Sequence, residues 1–95
     1  MTENPSIYIL FKGEIPTTHT KGIMHLTLYQ DFILSYGICN DGYSINLHNY
    51  KTKELLHQSI VNYEISEFIF INEKTIVSLN EVRVWKDFCP SSIII

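Results

Sequence analysis

Three residues of the N-terminal half have the side chains of a nucleophilic triad: His19, Ser35 and Asp41. In such a triad the histidine takes the proton of the serine hydroxyl, and the carboxylate orients the imidazole ring. The sequence around Ser35 is Ile-Leu-Ser-Tyr-Gly, which is not the Gly-x-Ser-x-Gly elbow that exposes a nucleophilic serine. A serine inside a strand is expected to be buried. We therefore predict structural hydrogen bonding for these side chains and no catalysis.

The remaining histidines and the cysteines give no pattern of a metal site. Only His19 and His25 lie at a His-x3-5-His spacing, and neither cysteine belongs to the Cys-x2-4-Cys pair that would complete a zinc site. We therefore expect no metal and no cofactor, and we expect both thiols to be reduced and buried. An enzyme that uses one of the two cysteines is a further hypothesis, without a supporting motif. The residues considered are His19, His25, His48, His57, Cys39 and Cys89.

The composition favours a folded protein that binds neither nucleic acid nor membranes. Of the 95 residues, 45% are hydrophobic and 18% are charged, which is typical of a globular domain. The net charge is −3 and the chain has no dense lysine and arginine cluster to neutralise phosphates. The N-terminus does not resemble a signal peptide, and no stretch reaches the roughly 20 apolar residues of a membrane span. A cytoplasmic or nuclear location is the expectation.

The elements that position these residues are predicted to be strands. The chain is rich in Ile, Tyr, Phe, Val and Thr and has almost no apolar pairs at helical spacing, so we predict an all-β fold. Polar turns such as Asn40-Asp41-Gly42 separate the apolar runs and indicate antiparallel hairpins. The nine predicted strands are 6–12, 23–30, 32–37, 44–50, 54–61, 64–71, 74–79, 82–88 and 91–95. Ile33-Leu34 and 68–71 are apolar on both faces, which is typical of covered strands.

Two segments of the chain repeat. Residues 32–35 correspond to 75–78 at an offset of 43, and 45–48 correspond to 82–85 at an offset of 37. The pattern predicts that the six-residue difference lies in a longer hairpin turn of the first repeat. A period of about 40 residues is typical of β-propeller blades.

The repeats resemble those of the WD-repeat family, in which each repeat forms one four-stranded blade of a propeller. Thr18-His19 stands where that family has Gly-His, and residues 82–86, Val-Arg-Val-Trp-Lys, resemble the strand that ends in Trp-Asp. The resemblance implies antiparallel four-stranded propeller blades: an outer strand of a neighbouring blade at 1–13, a first blade at 14–62 and a second at 63–95. Two blades do not close a ring, so we expect this chain to belong to a larger or assembled propeller.

The resemblance also implies a buried hydrogen-bond network within each blade. In the first blade His19, Ser35 and Asp41 would contribute to it. In the second blade Ser78 and Trp85 would contribute, without a histidine or an aspartate.

A propeller of this family implies a non-catalytic scaffold that binds other protein chains, such as further blades or subunits of a complex. The loops 17–21 and 39–43 would lie at one mouth of the ring. Tyrosine is enriched among the residues that dominate binding energy. The candidate partner-binding residues are Tyr36, Tyr43, Tyr50 and Lys21.

The residues also allow a different class of protein. The alternative is a small, self-contained β-barrel or sandwich that binds a small ligand and has its own closed core. A cooperative, monomeric unfolding transition with ligand-dependent stabilisation would favour this alternative.

Overall fold

The computed structural model describes residues 5–9, 13–62, 64–65, 67–72, 75–78, 83–86 and 89–94. These residues form ten strands and no helix, so no helix in the described part could cross a membrane. The strands are β1 (Ser6–Ile9), β2 (Gly13–Pro16), β3 (Gly22–Tyr29), β4 (Phe32–Cys39), β5 (Gly42–Asn49), β6 (Leu55–Val61), β7 (Phe68–Asn72), β8 (Thr75–Ser78), β9 (Arg83–Lys86) and β10 (Cys89–Ile94).

The strands form three antiparallel sheets. Strands β1 and β2 form the N-terminal hairpin, β3-β4-β5-β6 form the central sheet, and β7-β8-β9-β10 form the C-terminal sheet. In both four-stranded sheets each strand pairs with the next one along the chain, so every connection is a hairpin. The predicted all-β, antiparallel fold is confirmed.

The N-terminal segment differs from the prediction of one strand at 6–12. Two strands are present, with Ile7 opposite Ile15. The sequence signal for β2 is weak because Ile15 is its one apolar residue besides Pro16. Ile15 is nevertheless fully buried, and this burial holds the hairpin on the central sheet.

Corresponding residues of the two repeats have corresponding partners in the two sheets. Ser35 lies opposite Asn46, and Ser78 lies opposite Arg83. The predicted longer turn is wrong, because the connection between β4 and β5 is only Asn40-Asp41. The additional residues of the first repeat lengthen both strands instead.

Both faces of the central sheet have a packing partner. Its first face packs on the C-terminal sheet and contributes to the main core, and its second face packs on the N-terminal hairpin. The alternation of β4 produces this division, because successive side chains of a strand point to opposite faces. The main core contains Leu34, Tyr36, Ile45, Leu47, Val61, Ile65, Phe68 and Ile76, and the smaller core contains Ile7, Ile15 and Ile33.

Aromatic rings join the central and C-terminal sheets. Phe68 meets Tyr36 edge to face at 5.7 Å between ring centroids, and Phe70 stacks on Tyr29 at 5.2 Å. The Tyr36 hydroxyl oxygen also accepts a hydrogen bond of 2.8 Å from the backbone N–H of Ile65, in the connection between the sheets. The sheet-to-sheet contact is therefore fixed by both packing and a buried hydrogen bond.

The two segments that are apolar on both faces have different environments. Ile33 and Leu34 of β4 are both buried, as predicted for a covered strand. Strand β7 lies at an edge of the C-terminal sheet, and its Ile69 and Ile71 are exposed by 47% and 58%. For β7 the prediction of cover on both faces is wrong.

Candidate functional site

A group of buried polar side chains lies between the central sheet and the segment that precedes it. We call this group the buried polar cluster. Buried polar groups are costly unless they are hydrogen-bonded, so such a cluster must be arranged specifically. It consists of Thr17, His19, Ser35, Ser44, Asn46 and His48.

His19 is the centre of the buried polar cluster. Its Nε2 lies 2.8 Å from Oγ of Ser35 on β4, and its Nδ1 lies 2.5 Å from Oγ of Ser44 on β5. A neutral imidazole has one donor and one acceptor nitrogen, and a hydroxyl can serve either. The ring thus bridges two neighbouring strands and satisfies both of its nitrogens.

The glycine at position 37 leaves space for this ring. A Cβ at Gly37 would lie 2.7 Å from Cγ of His19 and 2.2 Å from the backbone oxygen of Gly22. Both distances are shorter than van der Waals contact. A glycine is therefore needed at this position of β4, where the imidazole and the start of β3 approach the backbone closely.

Further hydrogen bonds hold the segment before β3 on the sheet. The N–H of Thr18 donates to Oδ1 of Asn46 at 2.9 Å, and Nδ2 of Asn46 donates to Oγ1 of Thr18 at 2.7 Å. The hydroxyl of Thr17 donates to the carbonyl of Pro5. The loop that carries His19 is consequently tied to β5 and to the N-terminal hairpin.

Burial keeps the two clustered histidines neutral. Burial and, to a smaller extent, the nearby His48 together lower the pKa of His19 to about 4. Burial also lowers the pKa of His48, although a hydrogen bond to the backbone of Pro16 opposes that shift. Within the described residues, Nδ1 of His48 is buried without a hydrogen-bond partner, so a proton there would lack an acceptor.

The His19–Ser35 pair has the geometry of a serine–histidine dyad but not its access. Both side chains have zero exposed area, so a substrate cannot reach Oγ of Ser35 in this structure. Asp41 does not orient the ring. It is exposed in the β4–β5 turn, and Ser44 occupies the second ring nitrogen. The expected participation of Asp41 in the network is wrong, because the two-residue turn places Asp41 beyond the end of the sheet.

The expected network of the second repeat falls mostly outside the described side chains. Ser78 lies in β8 and Trp85 lies in β9, opposite Ile76. Their side chains, and that of Cys89 in β10, are outside the part of the chain that the structure describes. Cys39 is described, and it is a buried free thiol, as predicted.

The predicted partner-binding residues are in different environments. Tyr36 is fully buried in the main core, so its assignment to a binding surface is wrong. Tyr43 is half-buried and stacks on Tyr36 at 5.5 Å between centroids, which gives it a packing role as well. Lys21 is exposed, and its backbone N–H donates to the carbonyl of Ile38. The loop 17–21 therefore lies beside the end of β4, near the turn that follows it.

Tyr50 lies in an apolar groove between the N-terminal hairpin and the edge strand β3. The groove has a volume of about 600 Å³. Tyr8, Leu26 and Leu28 are exposed by 79%, 52% and 69%, which is unusual for large apolar side chains that are adjacent. None of the described residues that line the groove is charged. They are Ile7, Tyr8, Leu26, Leu28, Gln30, Ile33 and Tyr50.

Sequence reasoning missed most of both features. The alternation of Ser44, Asn46 and His48 on β5 was visible, but a polar face of a strand is normally assigned to solvent. It is buried here because the N-terminal hairpin covers it. Leu26 and Leu28 carried the opposite signal, since apolar residues in a strand are normally assigned to a core.

Comparison of the chain with family models, with curated proteins and with solved structures gave no match. The function must therefore be inferred from the side chains and surfaces described above.

Proposed function

We propose that this chain is a non-catalytic protein–protein interaction scaffold built from propeller blades like those of the WD-repeat family. Three features support the blade assignment. The two four-stranded sheets have the same sequential strand order, they pack face to face, and the loop before β3 carries a histidine bonded to a serine on the second strand of its sheet.

The observation that carries the binding function is the apolar groove. Exposed leucine and tyrosine side chains at the edge of a sheet lose contact with water when a partner covers them, and each fully buried large apolar side chain contributes about 1.5–3 kcal/mol. The buried polar cluster and the smaller core hold the walls of the groove in place. Little conformational entropy is then lost on binding, which favours affinity.

The test is affinity capture with groove and control variants. Leu28→Glu places a charge in the groove and should abolish capture of partner proteins. Leu56→Glu is the matched control, because Leu56 lies on the opposite edge strand β6, outside the groove, and is also exposed, by 42%. Both variants should keep the wild-type melting temperature. Equal capture by the two variants would contradict the groove as a binding site.

A second candidate function is suggested by the volume of the groove. Sites for small molecules commonly enclose about 300–1,000 Å³, and the groove lies within this range. The closed barrel of this alternative is not what the described residues form, since their sheets are stacked layers with free edges. The second candidate is therefore a layered domain that binds a small apolar ligand in the groove. A rise in melting temperature with a small apolar ligand, abolished by Leu28→Glu, would favour this candidate.

A further inference from the structure

The central and C-terminal sheets repeat one arrangement, and their register identifies corresponding residues. In each sheet the first strand pairs with a second strand that contains an isoleucine and a serine two residues later. The pair Leu26–Ser35 of the central sheet corresponds to the pair Phe68–Ser78 of the C-terminal sheet. In the same way, Leu28–Ile33 corresponds to Phe70–Ile76. Leu26 and Leu28 therefore occupy the positions of Phe68 and Phe70.

These corresponding positions have opposite environments. Phe68 is 4% exposed and Phe70 is half-buried, because both pack on the central sheet. Leu26 and Leu28 are 52% and 69% exposed. The described part of the N-terminal hairpin covers the neighbouring Ile33 and leaves the two leucines exposed, so the groove continues an existing sheet-to-sheet contact.

The far face of the C-terminal sheet is also uncovered in its described part. Ile69 lies on the face opposite Phe68 and Phe70, and Ile71 follows it at the irregularity between Phe70 and Asn72; the two isoleucines are 47% and 58% exposed. In the central sheet, the corresponding face is the one that receives Phe68 and Phe70. The exposed face of the C-terminal sheet thus corresponds to the face of the central sheet on which Phe68 and Phe70 pack.

We propose that a second copy of this chain stacks head to tail on the first, with the Leu26–Leu28 groove of one copy against the Ile69–Ile71 face of the next. This inference rests on the proposed function as an interaction scaffold and names its partner. The interface repeats between copies the contact already present between the central and C-terminal sheets. The two surfaces differ from each other, so the association is heterologous and continues until a ring closes.

The test uses two variants, each of which blocks one of the two interacting surfaces. Leu28→Glu blocks the groove and leaves the Ile69–Ile71 face intact, whereas Ile71→Glu does the reverse. Light scattering should give a concentration-dependent mass above 11.1 kDa for the wild type and for Leu56→Glu, and 11.1 kDa for each blocking variant alone. An equimolar mixture of the blocking variants should form a dimer of twice that mass and nothing larger, because only one productive interface remains.

Several outcomes would overturn the head-to-tail stack. They are a wild type that stays at 11.1 kDa at every concentration, a blocking variant that still assembles alone, or a mixture that stays monomeric although both variants melt like the wild type. Leu28→Gln and Ile71→Gln provide a second pair if glutamate lowers the melting temperature. A monomeric wild type that captures a different protein through Leu28 would overturn this inference and leave the proposed function standing.

Discussion

At the scale of single residues, the most informative side chain is His19. It is completely buried, yet both of its ring nitrogens have partners on neighbouring strands, and Gly37 leaves the space that the ring fills. An imidazole in this position links β4 to β5 through one hydrogen bond to each strand. The folded state favours the neutral form of this ring, so the stability of the protein depends on pH.

We expect the protein to lose stability in mild acid because of His19. Its pKa is about 4 in the folded state and 6.5 in the unfolded state, so the unfolded chain binds the extra proton first. The contribution is complete above pH 6.5 and is lost as the pH falls from 6.5 to about 4, by roughly 3 kcal/mol in total. Denaturant unfolding at a series of pH values measures this slope.

The control for this prediction separates the contribution of His19 from that of the other titratable groups. His19→Gln should be less stable than the wild type at pH 7 but should have a flatter profile between pH 6.5 and 4. His25→Gln, at an exposed position on β3, is the matched variant and should keep the wild-type slope. Parallel profiles for the wild type and His19→Gln would contradict the role given to His19.

A second prediction concerns the space below the imidazole. Gly37→Ala should lower the free energy of unfolding by about 1–3 kcal/mol, because the added methyl group overlaps the Gly22 carbonyl and the His19 ring. Chemical denaturation measures the change. An alanine variant as stable as the wild type would mean that β3 and His19 can move away from β4 without cost.

The buried polar cluster shows which residue contacts could be predicted from the sequence. The family resemblance implied that His19 and Ser35 belong to one network, and the structure places Nε2 of His19 2.8 Å from Oγ of Ser35. Ser44 was not predicted, because its approach to Nδ1 depends on the exact length of the β4–β5 turn. Asp41 was expected there because the family resemblance implies an aspartate in the network.

At the scale of elements, most strands could be predicted because apolar runs and turn residues mark them clearly. Predictions failed where tertiary cover decides the outcome. Strand β2 has little hydrophobic signal of its own and is held by one buried isoleucine, Ile15. Strand β7 has a strong signal on both faces, but only one face is covered in the described structure.

The β5–β6 turn allows a test of local sequence control. Oδ1 of Asn49 accepts hydrogen bonds from the N–H groups of Lys51 and Thr52, at 2.9 and 3.1 Å. Asn49→Ala removes this acceptor and should cost about 1 kcal/mol of stability. Asn49→Asp keeps an acceptor oxygen in the same place and should stay close to the wild type. Urea denaturation of the three proteins measures the difference, and equal losses in both variants would contradict it.

At the scale of the whole molecule, the described parts form a stack of three layers in chain order. The central sheet belongs to both interfaces, and Tyr36 anchors the contact with the C-terminal sheet. The sequence predicted the repeat. It could not show how far the N-terminal hairpin would cover the central sheet, because that extent depends on packing between segments distant in sequence.

We expect Tyr36→Phe to weaken the link between these sheets. The variant keeps the ring stacking but leaves the buried N–H of Ile65 without its acceptor, at a cost of about 1–3 kcal/mol. Tyr43→Phe is the control, because it removes a hydroxyl from the neighbouring half-buried ring. Thermal and chemical unfolding measure both. A larger loss of stability in Tyr43→Phe than in Tyr36→Phe would contradict the role given to the Tyr36 hydroxyl.

The absence of charge among the seven described residues that line the groove determines how contacts there respond to solution conditions. An interface between charged groups weakens as ionic strength rises, because salt screens the attraction. An interface of leucine, isoleucine and tyrosine has little to screen, and its strength depends instead on the hydration of apolar surface. That contribution decreases on cooling. A partner seated in the groove should therefore tolerate salt and dissociate in the cold.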